Sequence, residues 1–303
     1  MKIFDLHCDT LYKFENGEYS IKENNGHITE KALKNSDYLA QCFAVYIPKN
    51  FLGEKSFEYF KKQYEIYNKI LCESEILISA KNFNDIETNK KYEKVSAVLT
   101  LENAELINGE LDRLKFLENC GVKILGLIHN GENCLGFPHT KTDLPLKDFG
   151  KEVVSAVNDT NMVIDVSHLN IGGFWDVANI SKKPFIASHS ACRELQNHSR
   201  NLYYEQIKTI ANSGGIIGVP FYSQFLNGSN KTEIYDIIRH FEHLINVGGE
   251  DVAALGTDFD GMQCEMFLKT CADMQLFADA IIKKFGYQVA EKICYKNVLR
   301  ILK

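Results

Sequence analysis

Eight short apolar segments recur along the chain and constrain its fold more than any other feature. Each is four to nine residues long, and most are rich in Val and Ile. They cover residues 3–8, 39–47, 95–101, 122–128, 162–166, 184–188, 215–220 and 252–256. Strands that are buried on both faces of a parallel sheet have this nearly continuous apolar character. The sequence therefore predicts a parallel sheet of eight strands.

Longer stretches separate these segments, with apolar residues three and four positions apart, as in amphipathic helices. They cover residues 57–71, 110–120, 147–158, 171–180, 204–213 and 232–247. This alternation predicts an α/β fold, a single (β/α)8 TIM barrel that occupies residues 1–303 as one domain. An open doubly wound sheet is the alternative, but no GxGxxG or Walker A loop follows any segment. Residues 267–285 and 288–301 predict extra C-terminal helices on the outside of the barrel.

The charge and the cysteines exclude several classes of protein. With 34 basic and 40 acidic residues, a net charge of −6 and no basic run, we expect no nucleic-acid partner, because such surfaces need clustered positive charge. No apolar stretch approaches the roughly 18 residues of a membrane span, and Asp5 and His7 interrupt the N-terminal apolar segment. We therefore expect no membrane partner and a cytoplasmic location. Nine cysteines without a CxxC pair predict reduced thiols.

Side chains of the kinds that bind metals stand at the carboxyl ends of five predicted strands. They are His7 and Asp9, Glu102, His168, His189, and Asp258. In a barrel these ends form one rim. His7 and Asp9 are two residues apart, so a strand would direct both to the same face.

These three histidines and three carboxylates predict a metal site, because charged groups at the ends of apolar strands are costly to bury unless they are paired or bind a cation. Imidazoles and carboxylates without a thiolate suit zinc or another divalent first-row metal. One catalytic zinc takes three protein ligands, so six ligands fit two ions that share a bridging carboxylate, about 3.5–4 Å apart. The sequence therefore predicts a binuclear hydrolytic site.

Motifs spread along the chain resemble those of the membrane (renal) dipeptidase family, zinc metallopeptidases on a barrel of the metal-dependent amidohydrolase type. They are Asp5-Leu6-His7-Cys8-Asp9-Thr10, Leu101-Glu102-Asn103-Ala104, Ile128-His129-Asn130, Asp165-Val166-Ser167-His168, Ser188-His189-Ser190, Asn197-His198-Ser199-Arg200-Asn201, Gly256-Thr257-Asp258-Phe259-Asp260-Gly261 and Asn297-Val298-Leu299-Arg300. They follow the family's order from residue 5 to residue 300, so the resemblance covers nearly the whole chain. Within that family, the chain resembles the cytoplasmic bacterial branch.

The resemblance implies two Zn²⁺ ions, or other divalent metals, in each subunit. His7 and Asp9 would bind the first ion, and His168 and His189 the second. Glu102 would bridge the two ions.

The resemblance also implies roles in catalysis and substrate binding. Asp258 would be the catalytic aspartate, and His129 would contact the substrate. Arg200 would bind the substrate carboxylate, and Tyr222 would contact the substrate. The implied reaction is hydrolysis of dipeptides, both L-L and L-D, by a hydroxide that bridges the metals, and the implied assembly is a homodimer.

Three other functions compete with this interpretation. A related metal-dependent amidohydrolase could act on another small amide or on a ring, although the His-x-His opening common in such enzymes is absent. A metal-dependent phosphodiesterase would favour a basic cleft over a net charge of −6. A metal-binding but inactive barrel would most simply lack Asp258 or Arg200, and both are present.

Several of these residues also have a purely structural interpretation. Glu102 could cap a helix, His129 could be a core histidine, Arg200 could form a surface ion pair and Tyr222 could serve packing alone. The remaining candidates are interpreted as structural or surface residues, and the thiols among them as buried neighbours of the site: His27, His139, His240, His243, Cys8, Cys134 and Cys192.

Overall fold

The computed structural model describes residues 1–15, 20–22 and 25–303. The strands lie at Ile3–Asp5 (β1), Tyr38–Tyr46 (β2), Leu77–Ser79 (β3), Val95–Glu102 (β4), Val122–Gly126 (β5), Val163–Asp165 (β6), Ile217–Val219 (β7), Lys231–Thr232 (β8), Ala253–Leu255 (β9) and Glu265–Met266 (β10). Seven of the eight predicted strands are confirmed, as β1, β2, β4, β5, β6, β7 and β9. The eighth, at residues 184–188, forms only single bridges to its neighbours.

These bridges close the sheet into a barrel. The strands pair in parallel in the order β6, β5, β4, β2, β1, β9, β7. Between β6 and β7, Asp165 bridges to Ile186 and Ala187 bridges to Ile217, both in parallel. Hydrogen bonds of 2.8 Å from Val166 N to the Ile186 carbonyl and from Gly218 N to the Ala187 carbonyl continue the ladder across this seam. The prediction of an α/β barrel with parallel strands is confirmed.

The seam departs from a regular strand for a steric reason. A Cβ atom at Gly218 would lie 1.9 Å from the Ser188 carbonyl oxygen, and one at Gly256 would lie 1.8 Å from the same oxygen. The Ser188 carbonyl therefore packs directly against the backbone of both positions, which only glycine permits. Pro184 removes one backbone donor from the segment. The chain leaves the ladder here and presents His189 at the rim.

Strand β3 was not predicted. It pairs with residues 95–97 at the start of β4, and β5 pairs with residues 99–102 further along β4. The two short strands therefore share one edge of β4. β3 has only three residues, one of them the exposed Ile78, so it carries little of the apolar pattern that marks the others.

The α-helices lie at Thr10–Lys13 (α1), Glu30–Lys34 (α2), Glu54–Glu73 (α3), Phe83–Lys91 (α4), Asp112–Cys120 (α5), Asp148–Val157 (α6), Ile171–Ile180 (α7), Tyr204–Asn212 (α8), Ser223–Leu226 (α9), Ile234–Gly248 (α10), Met274–Phe285 (α11), Tyr287–Glu291 (α12) and Asn297–Ile301 (α13). Short 3-10 helices span Ala104–Ile107 and Cys271–Asp273, and a π-helix spans Lys292–Lys296. The six predicted helices between strands are confirmed as α3, α5, α6, α7, α8 and α10. No helix of the described residues has the length and apolarity needed to cross a membrane.

The extra C-terminal helices are present, but the last one does not simply pack on the outside. Val98 and Glu102 are four residues apart on β4, so their side chains point to the same face of the strand, which is the barrel interior. Val298 and Leu302, at the end of the chain, belong to the same buried cluster as Val98 and Phe4. Helix α13 therefore closes the interior at the end opposite Glu102. The predicted helix at 267–285 begins only at Met274.

Candidate metal centre

The structure brings the predicted ligand-type side chains together at the carboxyl end of the barrel. His7 and Asp9 follow β1, Glu102 ends β4, His168 follows β6, His189 follows the 186–187 bridges and Asp258 follows β9. Three sets of ligand atoms each lie within 4.8 Å of one another, namely His7 with His189 and Asp258, Glu102 with His129 and His168, and His7 with Asp9 and Glu102. These sets share members, so the side chains form one continuous cluster, here called the rim cluster.

Glu102 lies between His7 on one side and the pair His168 and His189 on the other. Its Oε1 atom is 2.8 Å from His168 Nε2 and 3.5 Å from His189 Nε2. Its Oε2 atom is 3.9 Å from His7 Nε2. Burial raises the pKa of this carboxyl to about 8, against the opposing effect of His7. The two oxygens of one buried carboxylate thus face different sets of nitrogen ligands.

His7 is buried with one ring nitrogen unused. Its Nε2 atom has no hydrogen-bond partner within the described part of the chain, and it lies 3.4 Å from Asp9 Oδ2 and 4.0 Å from Asp258 Oδ1. Burial opposes charge on the ring, but Asp9, with Glu102 and Asp258, raises the pKa of His7 to about 10. An unpaired buried nitrogen among three carboxylates is costly. A cation at this point would satisfy both the nitrogen and the carboxylates.

The Nε2 atoms of His168 and His189 face each other and lie 2.9 Å apart. The Nδ1 atom of His168 lies 2.8 Å from Asn130 Oδ1, and that of His189 lies 2.8 Å from Ser188 Oγ. Burial lowers the pKa of both rings well below the usual value, so both are neutral near pH 7. With Nδ1 engaged, each ring offers Nε2 as a ligand.

The segment after β9 presents Asp258 beside Asp9. Asp258 has a left-handed backbone, with φ of 64°. Burial, and next the Asp9 carboxylate, raise the pKa of Asp258 to about 7. A Cβ atom at Gly261 would lie 1.9 Å from Asp9 Oδ2 and 2.6 Å from Asp258 Oδ1. Gly261 is therefore required by the approach of the two carboxylates. The sequence predicts no role for it beyond membership of a motif.

Asp5 fixes the start of this segment, and the sequence predicts no role for it either. Its side chain is fully buried and accepts hydrogen bonds from Thr257 N at 2.9 Å and from Thr257 Oγ1 at 2.6 Å. This ties the residue before Asp258 to the end of β1, and His7 follows two residues later. The only signal in the sequence is an aspartate within an apolar strand, which implies a buried partner.

Arg200 is buried beside the rim cluster without a carboxylate partner among the described residues. Its Nη2 donates to the His189 carbonyl at 3.2 Å and its Nη1 to Ser190 Oγ at 3.5 Å, while its Nε has no partner. Burial lowers its pKa to about 10. The surface ion pair considered as an alternative is therefore not what the structure shows.

His129 belongs to the rim cluster, and its ring centroid lies 4.4 Å from that of His168 and 4.7 Å from that of Tyr46. Burial lowers its pKa to about 3, so the ring is neutral. Asn130 Nδ2 lies 3.2 Å from its Nε2 and can only donate, which leaves the hydrogen on Nδ1. Tyr46, at the end of β2, was not singled out from the sequence because it belongs to an apolar strand.

Tyr222 does not belong to the rim cluster. It directly precedes helix α9, and its ring lies 4.9 Å from that of Phe225, whose ring in turn lies 5.3 Å from the Arg200 guanidinium. Tyr222 is thus connected to Arg200 through one aromatic ring.

The histidines interpreted as structural mostly behave as such. His240 is fully buried, accepts from Cys192 N at 3.0 Å and lies 3.0 Å from the Leu226 carbonyl. His27 pairs with Asp260 at 3.1 Å. His139 lies nearer the cluster, 6.4 Å between its ring and that of His168, and bonds Ser199 Oγ at 2.7 Å.

The donor set fits divalent metal ions. The rim cluster contains imidazole nitrogens and carboxylate oxygens, which suit zinc and related metals. Within the rim cluster, His7 Nε2 is a buried nitrogen that finds no hydrogen-bond partner among the described residues and is available as a metal ligand. His168 and His189 are held in the orientation that exposes a ligand nitrogen.

Comparisons with known proteins give one consistent result. The family profile described as membrane dipeptidase, peptidase family M19, matches residues 1–303. An uncharacterized protein of Klebsiella pneumoniae, named for its position in the pqqA 5′ region, is 34% identical over 232 residues, which are 72% of this chain and 85% of that protein. An uncharacterized dipeptidase of Schizosaccharomyces pombe is 29% identical over 222 residues, 69% of this chain and 53% of that protein.

Solved structures share the fold across the chain. A dipeptidase described as a metallopeptidase of family M19 superposes with a TM-score of 0.93 at 23% identity, covering 100% of this chain and 98% of that one. A metallopeptidase from Rhodobacter sphaeroides, bound to a phosphinate mimic of the dipeptide L-Ala-D-Ala, gives 0.92 at 22% identity with the same coverage.

Proposed function

The chain belongs to the membrane dipeptidase family, peptidase family M19, and on this premise we propose that it hydrolyses dipeptides with two zinc ions held by the rim cluster. Family membership makes it a metallohydrolase of the dipeptidase class. One observation carries the binuclear proposal: one oxygen of the buried Glu102 carboxylate faces His7 Nε2, and the other faces the Nε2 atoms of His168 and His189. The whole chain, residues 1–303, would be one catalytic domain.

The side chains divide into two ligand sets around Glu102. His7 and Asp9 would hold one ion, since His7 Nε2 lies 3.4 Å from Asp9 Oδ2. His168 and His189 would hold the other, since their Nε2 atoms are 2.9 Å apart. Glu102 would bind both ions, one through each oxygen. Each ion would then have three protein ligands and an open position for water and substrate.

Two divalent ions bound there would lower the pKa of a shared water molecule towards 7 and polarise the scissile carbonyl. Asp258 would accept a proton from the attacking water and pass it to the leaving amine. Its place in the rim cluster, 4.0 Å from His7 Nε2, supports this role.

His129 would stabilise the carbonyl oxygen as it gains negative charge. Its ring is neutral and carries its hydrogen on Nδ1, so it can donate one hydrogen bond without transferring a proton. A donor placed for such an oxyanion contributes roughly 3 kcal/mol to the transition state. Its contact with His168 supports a position over the second ion.

Arg200 would bind the C-terminal carboxylate of the substrate. A guanidinium can hold a carboxylate through two parallel hydrogen bonds, and Arg200 is buried with its Nε unpartnered among the described residues. Tyr222, which reaches Arg200 through Phe225, would contact the same end of the substrate. This anchor would confine the enzyme to short peptides with a free carboxyl end.

The proposed substrates are L-L and L-D dipeptides. The Rhodobacter sphaeroides neighbour binds a mimic of L-Ala-D-Ala, which supports tolerance of a D-residue at the C-terminal position. A related amidohydrolase reaction on another small amide is the competing possibility. We also propose that the enzyme is a homodimer in the cytoplasm.

The test is a release assay with zinc-loaded protein on four substrate types: L-L dipeptides, L-D dipeptides, the same dipeptides with an amidated C-terminus, and N-acylated amino acids. We expect cleavage of the free L-L and L-D dipeptides, loss of cleavage with a chelator, and recovery when zinc is restored. The amidated dipeptides should be poor substrates because Arg200 lacks its partner. Absence of chelator-sensitive dipeptide cleavage would contradict the proposal, and cleavage confined to N-acylated amino acids would favour the amidohydrolase alternative.

A further inference from the structure

A chain of three buried hydrogen-bonding groups lies behind one of the proposed ligands. Ser188 Oγ donates a hydrogen bond to Asp165 Oδ2. The same oxygen lies 2.8 Å from His189 Nδ1. Asp165, Ser188 and His189 are 5%, 1% and 2% exposed, so water does not compete for these bonds. The proposed reaction assigns no role to Asp165 or Ser188.

The direction of these hydrogen bonds follows from the groups themselves. A carboxylate only accepts, so the hydroxyl hydrogen of Ser188 points to Asp165. Ser188 Oγ must then accept from His189, which places the imidazole hydrogen on Nδ1. The lone pair of this neutral ring is therefore on Nε2, and that atom lies 3.5 Å from Glu102 Oε1 and 2.9 Å from His168 Nε2.

We infer that Asp165, acting through Ser188, is the positioning residue that holds His189 in the tautomer and orientation that bind metal. The inference rests on the proposed function in that it takes His189 as a metal ligand. A carboxylate that orients a metal-bound histidine is a general device, and loss of such partners weakens metal binding about 10- to 100-fold. Here a serine hydroxyl relays the effect.

The other histidine of the pair, His168, has a different kind of partner at its Nδ1 atom. Its Nδ1 is held by Asn130 Oδ1 at 2.8 Å, and Asn130 is exposed. Water can replace an exposed amide as the acceptor for that ring. The hydroxyl of Ser188 has no such substitute, because it is buried between Asp165 and His189.

Asp165 also holds the backbone at the seam of the barrel. Its Oδ1 accepts from Ser167 N and from Ser188 N, both at 2.9 Å. Removing this side chain altogether would disturb barrel closure as well as His189. Replacing Ser188 by Ala removes the relay and keeps both backbone hydrogen bonds to Asp165, so Ser188→Ala is the cleaner variant.

An isosteric change at Asp165 gives a second test. In Asp165→Asn the amide oxygen must stay at the two backbone N–H groups, so the amide nitrogen faces Ser188. That nitrogen donates, and the Ser188 hydrogen must turn to His189 Nδ1 or to Ser167 Oγ, 3.4 Å away. The metal-binding tautomer of His189 is then no longer enforced, although the shape of the side chain is kept.

The experiment measures zinc affinity rather than activity. Metal-free wild type, Ser188→Ala, Asp165→Asn and the control Ser223→Ala are titrated with Zn²⁺ against a competing chelator. Ser223 is a matched control because it is a fully buried serine whose hydroxyl finds no hydrogen-bond partner among the residues that the structure describes. We expect one of the two ions to bind about 10- to 100-fold more weakly in Ser188→Ala and at least as weakly in Asp165→Asn. The other ion, and both ions in Ser223→Ala, should bind within about twofold of wild type.

Long-range proton–nitrogen NMR of metal-free wild type supplies a readout that needs no variant. His189 should carry its hydrogen on Nδ1, and the tautomer with hydrogen on Nε2 would overturn the inference. Unchanged zinc affinity in folded Ser188→Ala and Asp165→Asn would overturn it as well, with the proposed function intact. Failure of wild type to bind zinc would instead contradict the proposed function, and with it this inference.

Discussion

Arg200 and His7 are the two side chains whose burial most needs a ligand. A buried guanidinium with an unpartnered Nε and a buried imidazole with an unpartnered Nε2 each carry the cost of lost hydration. One needs an anion and the other a cation, and both lie beside the same cluster of carboxylates and histidines. A substrate carboxylate and a metal ion together satisfy both, which is why a metallodipeptidase accounts for the pair.

Replacing Arg200 by Ala should raise KM for free dipeptides by about 10- to 100-fold, with a smaller change in kcat, because a hydrogen bond to a charged group contributes about 1.5–3 kcal/mol. Steady-state kinetics on one L-L and one L-D dipeptide measures this. Arg239→Ala, at an arginine that packs on the exposed Tyr235 ring, is the control and should leave KM unchanged. An unchanged KM in Arg200→Ala would remove this residue from substrate binding.

Replacing Asp258 by Asn should keep zinc bound and lower kcat by about 10²- to 10⁴-fold, the usual contribution of a positioned acid–base group. Zinc content and kcat are measured on the same sample. Asp273→Asn is the control. It makes the same change in a side chain that accepts a hydrogen bond from the backbone at the start of the 3-10 helix Cys271–Asp273, and it should retain full activity. Turnover near the wild-type rate in Asp258→Asn would show that another group moves the proton.

The sequence predicted which side chains form the rim cluster, but not what holds them. His7, Glu102 and Asp258 could be recognised because a polar side chain at the end of an apolar strand is costly to bury unless it is paired or binds a cation. Asp165 and Ser188 are 23 residues apart, and their bond depends on how β6 and the 186–187 bridges meet. No spacing in a single sequence carries that information.

At the scale of elements, the loop after β9 places two carboxylates against a glycine. The position of Gly261 leaves no room for a Cβ atom, which would lie 1.9 Å from Asp9 Oδ2. Asp9 N also donates to the Phe259 carbonyl at 2.9 Å, so the loop and the end of β1 are fixed to each other. The loop therefore sets the separation of a proposed ligand and the proposed proton acceptor.

Replacing Gly261 by Ala should displace Asp9 or Asp258 and lower kcat/KM by about 100-fold, since a shift of roughly 1 Å in a reacting group has an effect of this size. Gly286→Ala is the control, because its φ of 82° also strains an alanine but its Cβ meets no atom within 4 Å. That variant should lose stability without losing activity. The steric account would be contradicted if both variants lost kcat/KM to the same extent, and only because part of each protein was unfolded.

The sequence predicted correctly those elements whose structure is determined by the residues within them. Strand β4 is buried over its whole length, and helix α7 is preceded by its N-cap Asn170, whose side chain accepts a hydrogen bond from Gly173 N. The segment at 184–188 was predicted as a strand, yet its ladder is broken by the close packing of the Ser188 carbonyl on Gly218. Such a contact depends on neighbouring strands and has no local signal.

At the scale of the whole molecule, the barrel concentrates ionisable side chains at one end and apolar residues at the other. Burial raises the pKa of Glu102 to about 8 and of Asp258 to about 7, and the carboxylates raise that of His7 to about 10. Helix α13 closes the opposite end with Val298 and Leu302. The sequence predicted this helix but not its place, because an amphipathic pattern does not say which apolar surface it meets.

These pKa values predict how the metal-free protein responds to pH. Each of the three groups binds protons more tightly when the protein is folded, so its contribution to the free energy of unfolding falls as pH rises towards the folded value. In chelator, Tm should therefore decrease between about pH 7 and pH 9. With zinc bound, cations replace the protons and the decrease should largely disappear. Scanning calorimetry of both forms measures this, and a Tm that rises with pH in chelator would contradict the charge balance described here.

The binuclear centre itself is tested most directly by anomalous diffraction from zinc-loaded crystals, measured above and below the zinc absorption edge. We expect two peaks about 3.5–4 Å apart. One should lie beside His7 and Asp9, the other beside His168 and His189, with a Glu102 oxygen against each. A single peak, or no peak among these five side chains in crystals grown with excess zinc, would contradict the account.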